Sequence, residues 1–246
     1  MQRKSKIWYS FSGVKPEEYQ VGFYKTKNLD WAQSLEYNFE IIRDEMLQYI
    51  ENDNDRIKPY FNSRLVTEKS IWRTSAFLFW NLNFRKNQKS CPQTMKILRS
   101  IPNLVSASIS ILESGSTINP HRGDTNGIMR GHLPILVPKE INNIGFKVNE
   151  EEVVWEQGKL LLFNDAAYHS AWNLSSSSRI VMIIDIIRPE FASHAYHICS
   201  TILSSLIYQN ISLKVKALKQ LPQLIKNLFI KGFALLIYPL LRIQNI

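Results

Sequence analysis

Cysteine is scarce: Cys91 and Cys199 are the only two in 246 residues. They form no CxxC pair, so they build no disulfide framework, and a reducing compartment is expected. The amino terminus, MQRKSKIWYSFSG, lacks an apolar run of signal-peptide length. No stretch reaches the roughly 20 consecutive apolar residues that span a bilayer. The nearest approach, LFIKGFALLIYPLL at Leu228–Leu241, is interrupted by Lys231 and Pro239. A cytoplasmic protein is therefore expected.

Acid is missing from one region. Between Phe191 and Ile246 there is no Asp or Glu, while Lys214, Lys216, Lys219, Lys226, Lys231 and Arg242 stand there. Most of the net charge of +9 lies in that tail, and the preceding residues are close to balanced. This distribution excludes a nucleic-acid groove running over the whole protein and points to a cationic tail. Leu, Ile and Phe alternate with the lysines from 201 to 246. That is the texture of a helix lying on an anionic membrane surface, here the inner face of the membrane. The same texture also suits helices packed over the open side of a core.

The rest of the chain supports an ordinary globular core. Apolar residues make up 45% of it, which excludes extended disorder outside the ends. Residues 1–27 read as short strands and turns. Trp31, Leu35, Phe39, Ile42, Met46 and Tyr49 recur at spacings of three and four, which predicts a helix over 29–52 capped by Asn28 or Asp30. IWRTSAFLFWNLN at 71–83 predicts a buried strand, and Pro92 opens a short helix that Pro102 ends. From Val105 strand follows strand. In VSASISILE, Val105, Ala107, Ile109 and Ile111 share one face, and Ser106, Ser108 and Ser110 the other. Short strands at such spacing predict an antiparallel sandwich or barrel. The chain divides into a flank at 1–104 integral to the core, a core at 105–190 and a helical tail at 191–246.

Histidine is also scarce, with five in the chain, yet His121, His132 and His169 all fall at strand ends of the core. Arg179 follows His169 at the start of the next strand. Two histidines and a downstream arginine in this order fit a non-haem iron site whose cation binds the distal carboxylate of 2-oxoglutarate. The position that normally supplies a carboxylate ligand is Gly123. Residues alone leave three readings open: Asp124 is a ligand, water completes a two-histidine site, or both histidines are ordinary loop residues. His194 and His197 read as structural or surface groups.

The blocks SISILESGSTINPHRGDTNGIMRGHLPILVP, VVWEQGKLLLFNDAAYHSAWN and SSRIVMIIDIIRPE occur in this order. Over 105–190 they resemble the aspartyl/asparaginyl β-hydroxylase family of Fe(II)/2-oxoglutarate oxygenases, and a weaker likeness reaches back to about residue 71. The resemblance implies an all-β core with flanking helices: a double-stranded β-helix of jelly-roll or cupin-like form, here with a helical C-terminal tail. It implies Fe(II) held by His121 and His169, with glycine at 123 and water in the third place. It implies 2-oxoglutarate and O2 as cosubstrates, with Arg179 and Ser110 at the distal carboxylate. Arg130 and His132 match the family's R-x-H pair beside the cosubstrate or substrate carboxylate. Two positions depart from the family pattern: Asp124 stands where proline is frequent, and Ile128 where an arginine is frequent. The expected activity is hydroxylation of an unactivated C–H of a small-molecule amino acid or a peptidyl substrate. The alternatives are a lipid acyl chain at a membrane, a non-catalytic β-sandwich that binds membranes, and a cupin-like metal isomerase or hydrolase.

Overall fold

The computed structural model describes residues 6–14 and 21–244. A short strand β1 (Phe23–Tyr24) leads to helices α1 (Asp30–Tyr37) and α2 (Phe39–Asn52). Strands β2 (Lys58–Pro59), β3 (Trp72–Phe79) and β4 (Leu82–Asn83) follow, then helices α3 (Arg85–Ser90) and α4 (Pro92–Leu98). The core strands are β5 (Leu104–Leu112), β6 (Ser116–His121), β7 (Ile128–Leu136), β8 (Ile144–Val148), β9 (Glu151–Val153), β10 (Leu161–Phe163), β11 (His169–Asn173) and β12 (Arg179–Ile187). The tail holds α5 (Ala195–Lys214), α6 (Lys216–Lys219) and α7 (Gln223–Gln244).

Two antiparallel sheets face each other. The larger runs β1-β10-β7-β12-β5-β3-β2 with β4 beside β3, and the smaller runs β6-β11-β8-β9. From β5 onward the chain crosses repeatedly between them, with β5, β7, β10 and β12 in the larger sheet and β6, β8, β9 and β11 in the smaller. That winding is a double-stranded β-helix. The flank contributes β1 to β4 to the larger sheet.

Alternation decides what each face of the larger sheet meets. Ala107, Ile109, Ile111, Leu133, Met182 and Ile184 point outward and bury against Leu35, Ile42, Met46 and Leu98 of the helices. The inward face encloses a second apolar cluster that includes Trp72, Leu112, Phe146, Trp155 and Phe163. The serine face of β5 is therefore not a solvent face: Ser106 and Ser110 are buried between the sheets. The tail caps one end, where Ile198, Ile202 and Leu206 of α5 pack on Val105, Ile128 and Ile187.

Local details differ from expectation. The helix expected over 29–52 is two helices meeting at Asn38, whose backbone leaves the helical region at φ −92° and ψ 17°. The apolar stripe survives the break, because Ala32, Leu35, Phe39, Ile42, Met46 and Tyr49 are all buried. Leu29 holds the cap position without a side-chain bond; Asp30 sits in the first turn, where the helix dipole favours a negative charge. The strand expected over 71–83 turns at Trp80 and Asn81, both at positive φ, and returns as β4. Helix α3 was not expected at all. Of the strands and turns expected over 1–27, β1 and a bridge from Tyr9 to Thr125 are present; residues 1–5 and 15–20 lie outside the described residues.

Candidate active site

β6 and β11 are neighbours in the smaller sheet, and their register sets His121 directly opposite His169. The two imidazole centroids are 4.2 Å apart. Nδ1 of His121 lies 2.8 Å from the Asn119 carbonyl oxygen, and Nδ1 of His169 lies 3.0 Å from that of Ala167. A carbonyl can only accept, so each Nδ1 carries the ring proton and each Nε2 keeps its lone pair. Burial pushes both pKa values below the usual imidazole range, which keeps the rings neutral; for His169 the neighbouring His121 adds to the effect. Two neutral imidazoles with unprotonated Nε2 atoms facing one pocket are groups that can ligate a divalent first-row metal such as iron. Among the described residues no third His, Cys, Asp or Glu completes a metal cluster with them.

Gly123 has a steric reason. A Cβ there would fall 1.6 Å from Oδ2 of Asp165. The Gly123 amide also donates to the Asp165 carbonyl at 2.7 Å. A side chain at 123 is thus excluded by the carboxylate of Asp165, which reaches over from the turn between β10 and β11. Oδ1 of Asp165 lies 3.8 Å from Nε2 of His169 and 2.8 Å from Nη1 of Arg130. Burial raises the Asp165 pKa, Asp185 and Asp124 raise it further, and Arg130 partly offsets them. Sequence reasoning missed Asp165. Its one available signal was an acid four residues before His169, in the block VVWEQGKLLLFNDAAYHSAWN.

Asp124 is not beside the histidines. Its carboxylate accepts from Ser10 Oγ at 2.9 Å, and its carbonyl accepts from the Ser10 amide at 2.9 Å. It fastens the loop after His121 to the N-terminal segment, which Trp8 also grips through Asn126 and Thr125. Ile128 is fully buried in the cluster under α5.

The inward face of the larger sheet supplies the remaining groups. Ser110, Arg130, His132 and Arg179 line one pocket together with His121 and His169. Arg179 is 1% exposed, yet its Nε finds no hydrogen-bond acceptor. No carboxylate pairs with it among the described residues; its guanidinium lies over the Trp155 ring at 4.3 Å. Burial pushes its pKa down. A buried cation with a polar orphan fits an incoming carboxylate such as the distal group of 2-oxoglutarate. Ser110 Oγ accepts from Trp72 Nε1 at 2.9 Å, which leaves its own hydrogen free to donate.

Arg130 is committed elsewhere. Its Nε and Nη2 bind both oxygens of Asp185, at 2.6 and 2.9 Å, and its Nη1 reaches Asp165. Burial alone would lower its pKa, but the two carboxylates hold it above the ordinary value. His132 sits among Phe146, Phe163 and Trp155, with its buried Nδ1 unpartnered. Burial, and then Arg179, hold it neutral. His194 and His197 lie at the exposed start of α5, away from the pocket.

Comparison with known proteins follows the same residues. The family model described as aspartyl/asparaginyl beta-hydroxylase matches residues 36–189. The chain is 32% identical over 171 residues to an ornithine lipid ester-linked acyl 2-hydroxylase of Rhizobium tropici, covering 68% of this chain and 60% of that protein. It is 31% identical over 200 residues to the human aspartyl/asparaginyl beta-hydroxylase, covering 76% of this chain and 25% of that one. A prolyl-4-hydroxylase structure from Pseudomonas putida aligns with 61% of the chain and 87% of its own length, at a TM-score of 0.41 and 12% identity. The matched span reaches from the end of α1 to the end of β12 and holds every residue of the pocket, so the chain belongs to the aspartyl/asparaginyl β-hydroxylase family.

Proposed function

We propose that the protein is an Fe(II)- and 2-oxoglutarate-dependent hydroxylase. The observation that carries this reading is the meeting, in one pocket, of two neutral imidazoles with free Nε2 atoms and a buried arginine without an anion. Iron bound with 2-oxoglutarate supplies dioxygen activation, and the overall reaction puts one oxygen atom into an unactivated C–H with release of succinate and carbon dioxide.

The chain's own residues do the rest. His121 and His169 hold the metal, and the carbonyls of Asn119 and Ala167 fix their tautomers. Arg179 and Ser110 hold the distal carboxylate and so set the direction in which the cosubstrate points. Trp155 and Trp72 keep those two groups in place and keep water from them. Arg130 holds Asp165 beside His169, and Phe146 and Phe163 wall the site.

The substrate inherited from the family likeness is an amino-acid or peptidyl side chain. A second reading, an acyl chain, is favoured by the state of the pocket's cations. Arg130 is spent on two carboxylates and Arg179 is reserved for the cosubstrate, and among the described residues no other Lys or Arg lines the pocket. Ile128 replaces a further cation by a buried alkyl group. Among the described residues that line the pocket no cation is left to pair with a charged substrate, whereas an uncharged C–H needs no such partner.

The test is iron-dependent conversion of 2-oxoglutarate to succinate by the purified full chain, with acyl-lipid and peptide substrates in parallel and the added oxygen located by mass spectrometry. His121→Ala and His169→Ala should abolish turnover. Undiminished turnover in His169→Ala would sink the proposal, and metal-dependent turnover without 2-oxoglutarate would replace it by an isomerase or hydrolase.

A further inference from the structure

The long tail helix α7 has two unlike sides. Ile230, Ala234 and Leu241 are buried, and with Ile237 they pack toward α5. Opposite them Leu224, Leu228, Leu235, Leu236, Leu240 and Ile243 are between 58% and 77% exposed. The segment Gln223–Ile243 is long and apolar enough to cross a membrane by length and composition, which corrects the expectation that no segment was. Its inner stripe, however, is already docked on the rest of the protein. A helix that crossed a bilayer would have to abandon that contact, whereas a helix lying flat keeps it.

The charges border the exposed face. At about 100° per residue, Lys231 and Arg242 fall along one edge of the apolar arc; Lys226 lies beyond the other, half-buried, with its Nζ donating to the Lys219 carbonyl at 2.9 Å. Lys214, Lys216 and Lys219 precede the helix, and no acid occurs after residue 190. Pairing two copies through this face would set like charges against each other. An apolar strip with cationic borders instead complements the boundary between anionic headgroups and acyl chains.

We propose that α7 lies in the plane of an anionic lipid bilayer, with its outer leucines among the acyl chains and its lysines and arginine at the headgroups. The contact is independent of the chemistry proposed above, since no residue of the pocket takes part. It is nevertheless close to the site in connectivity. Gln223 Nε2 donates to the Phe11 carbonyl at 2.5 Å, and Ser10 holds Asp124 in the loop after His121.

The test is flotation of the full chain with vesicles of phosphatidylcholine alone or with phosphatidylglycerol added. Binding is expected to the mixed vesicles, weakened by salt and released by alkaline extraction. Joint replacement Leu228→Asp, Leu235→Asp and Leu236→Asp should abolish binding. Joint replacement Lys231→Gln and Arg242→Gln should weaken it by about tenfold or more. The three leucines, Lys231 and Arg242 are all exposed, so the thermal transition should be kept in both variants. Absence of binding to the anionic vesicles, or equal binding by the Asp variant, would overturn the proposal. So would resistance to alkaline extraction, which marks a spanning helix, or a dimer in solution that the Asp variant dissolves without any vesicle binding by the parent chain.

Discussion

On β12, Ile180, Met182, Ile184 and Ile186 point out to the helices, while Arg179, Val181, Ile183 and Asp185 point in to the pocket. The same division runs through β5, with Ala107, Ile109 and Ile111 outside and Ser106, Ser108 and Ser110 inside. The outer face is closed: every side chain has apolar neighbours, and each fully buried Ile or Leu contributes about 1.5–3 kcal/mol. The inner face is open business for a ligand. Arg179 Nε and His132 Nδ1 are buried there without partners, a condition that costs free energy in the folded chain. A strand two residues in period can therefore carry stability on one side and reactivity on the other, and the two should separate under mutation.

The largest separation is expected at His169. Loss of a group that merely supports a metal ligand costs about 10–100-fold, so removal of the ligand itself in His169→Ala should exceed that and leave no measurable succinate formation. His169 is buried against Phe163 and Phe146, so the alanine also leaves a cavity. Turnover is compared per folded molecule, and His169→Gln, which keeps most of the volume, should lose turnover as completely at a smaller cost in stability. On the outer face the outcome inverts. Ile109→Ala removes a side chain that is fully buried under the helices and should cost about 2–5 kcal/mol in urea unfolding. Turnover per folded molecule should be unchanged. Loss of turnover in the Ile109 variant at full folding would break the division between the faces.

Gly123 tests the inner face by volume. Gly123→Ala would drive a methyl group into Asp165 and should destabilise the fold by about 1–3 kcal/mol while displacing the loop behind His121. Asp165→Ala breaks the buried pair with Arg130 and has its own cost, but in that background Gly123→Ala should cost much less than it does in the parent chain. If Gly123→Ala costs as much in the Asp165→Ala background as in the parent chain, the clash with Asp165 is not the reason for glycine at this position.

Much of this was readable beforehand, and for a physical reason. The stripe from Leu35 to Tyr49 and the alternation of β5 follow from helix and strand periods, which are local. His121, His169 and Arg179 were singled out by their order and spacing and by the family resemblance, and they line one pocket. What escaped was set by contact across the sheets. Asp165 acquires its meaning only when β6 lies beside β11 and its carboxylate fills the space over Gly123. The commitment of Arg130 to Asp185 depends on the register of β7 against β12; the spacing R-x-H says nothing of it. Trp155 under Arg179 is a contact of the same kind. The break at Asn38 left the apolar period intact and so gave no signal.

Arg179 and Ser110 then grade the pocket's own polarity. A hydrogen bond to a charged group is worth about 1.5–3 kcal/mol, so Arg179→Gln should raise the KM for 2-oxoglutarate by roughly 10- to 150-fold. The maximal rate at saturating cosubstrate should be less affected. Arg179→Lys should recover part of the loss, since it restores the charge without the planar fork.

The smallest effect is expected at Ser110, and it has two sources that can be told apart. Ser110→Ala removes a neutral donor to the cosubstrate, worth about 0.5–1.5 kcal/mol, or a rise of roughly 2- to 13-fold in the same KM. It also strands the buried Trp72 Nε1, which now donates to Ser110 Oγ, at about 1–3 kcal/mol of stability. Trp72→Phe removes that donor, so adding it to Ser110→Ala should spare the stranded-donor cost while leaving the KM raised. If the stability losses of the two single variants simply add in the double variant, the Trp72–Ser110 bond carries no coupling, and the inner face is held together by ring packing alone.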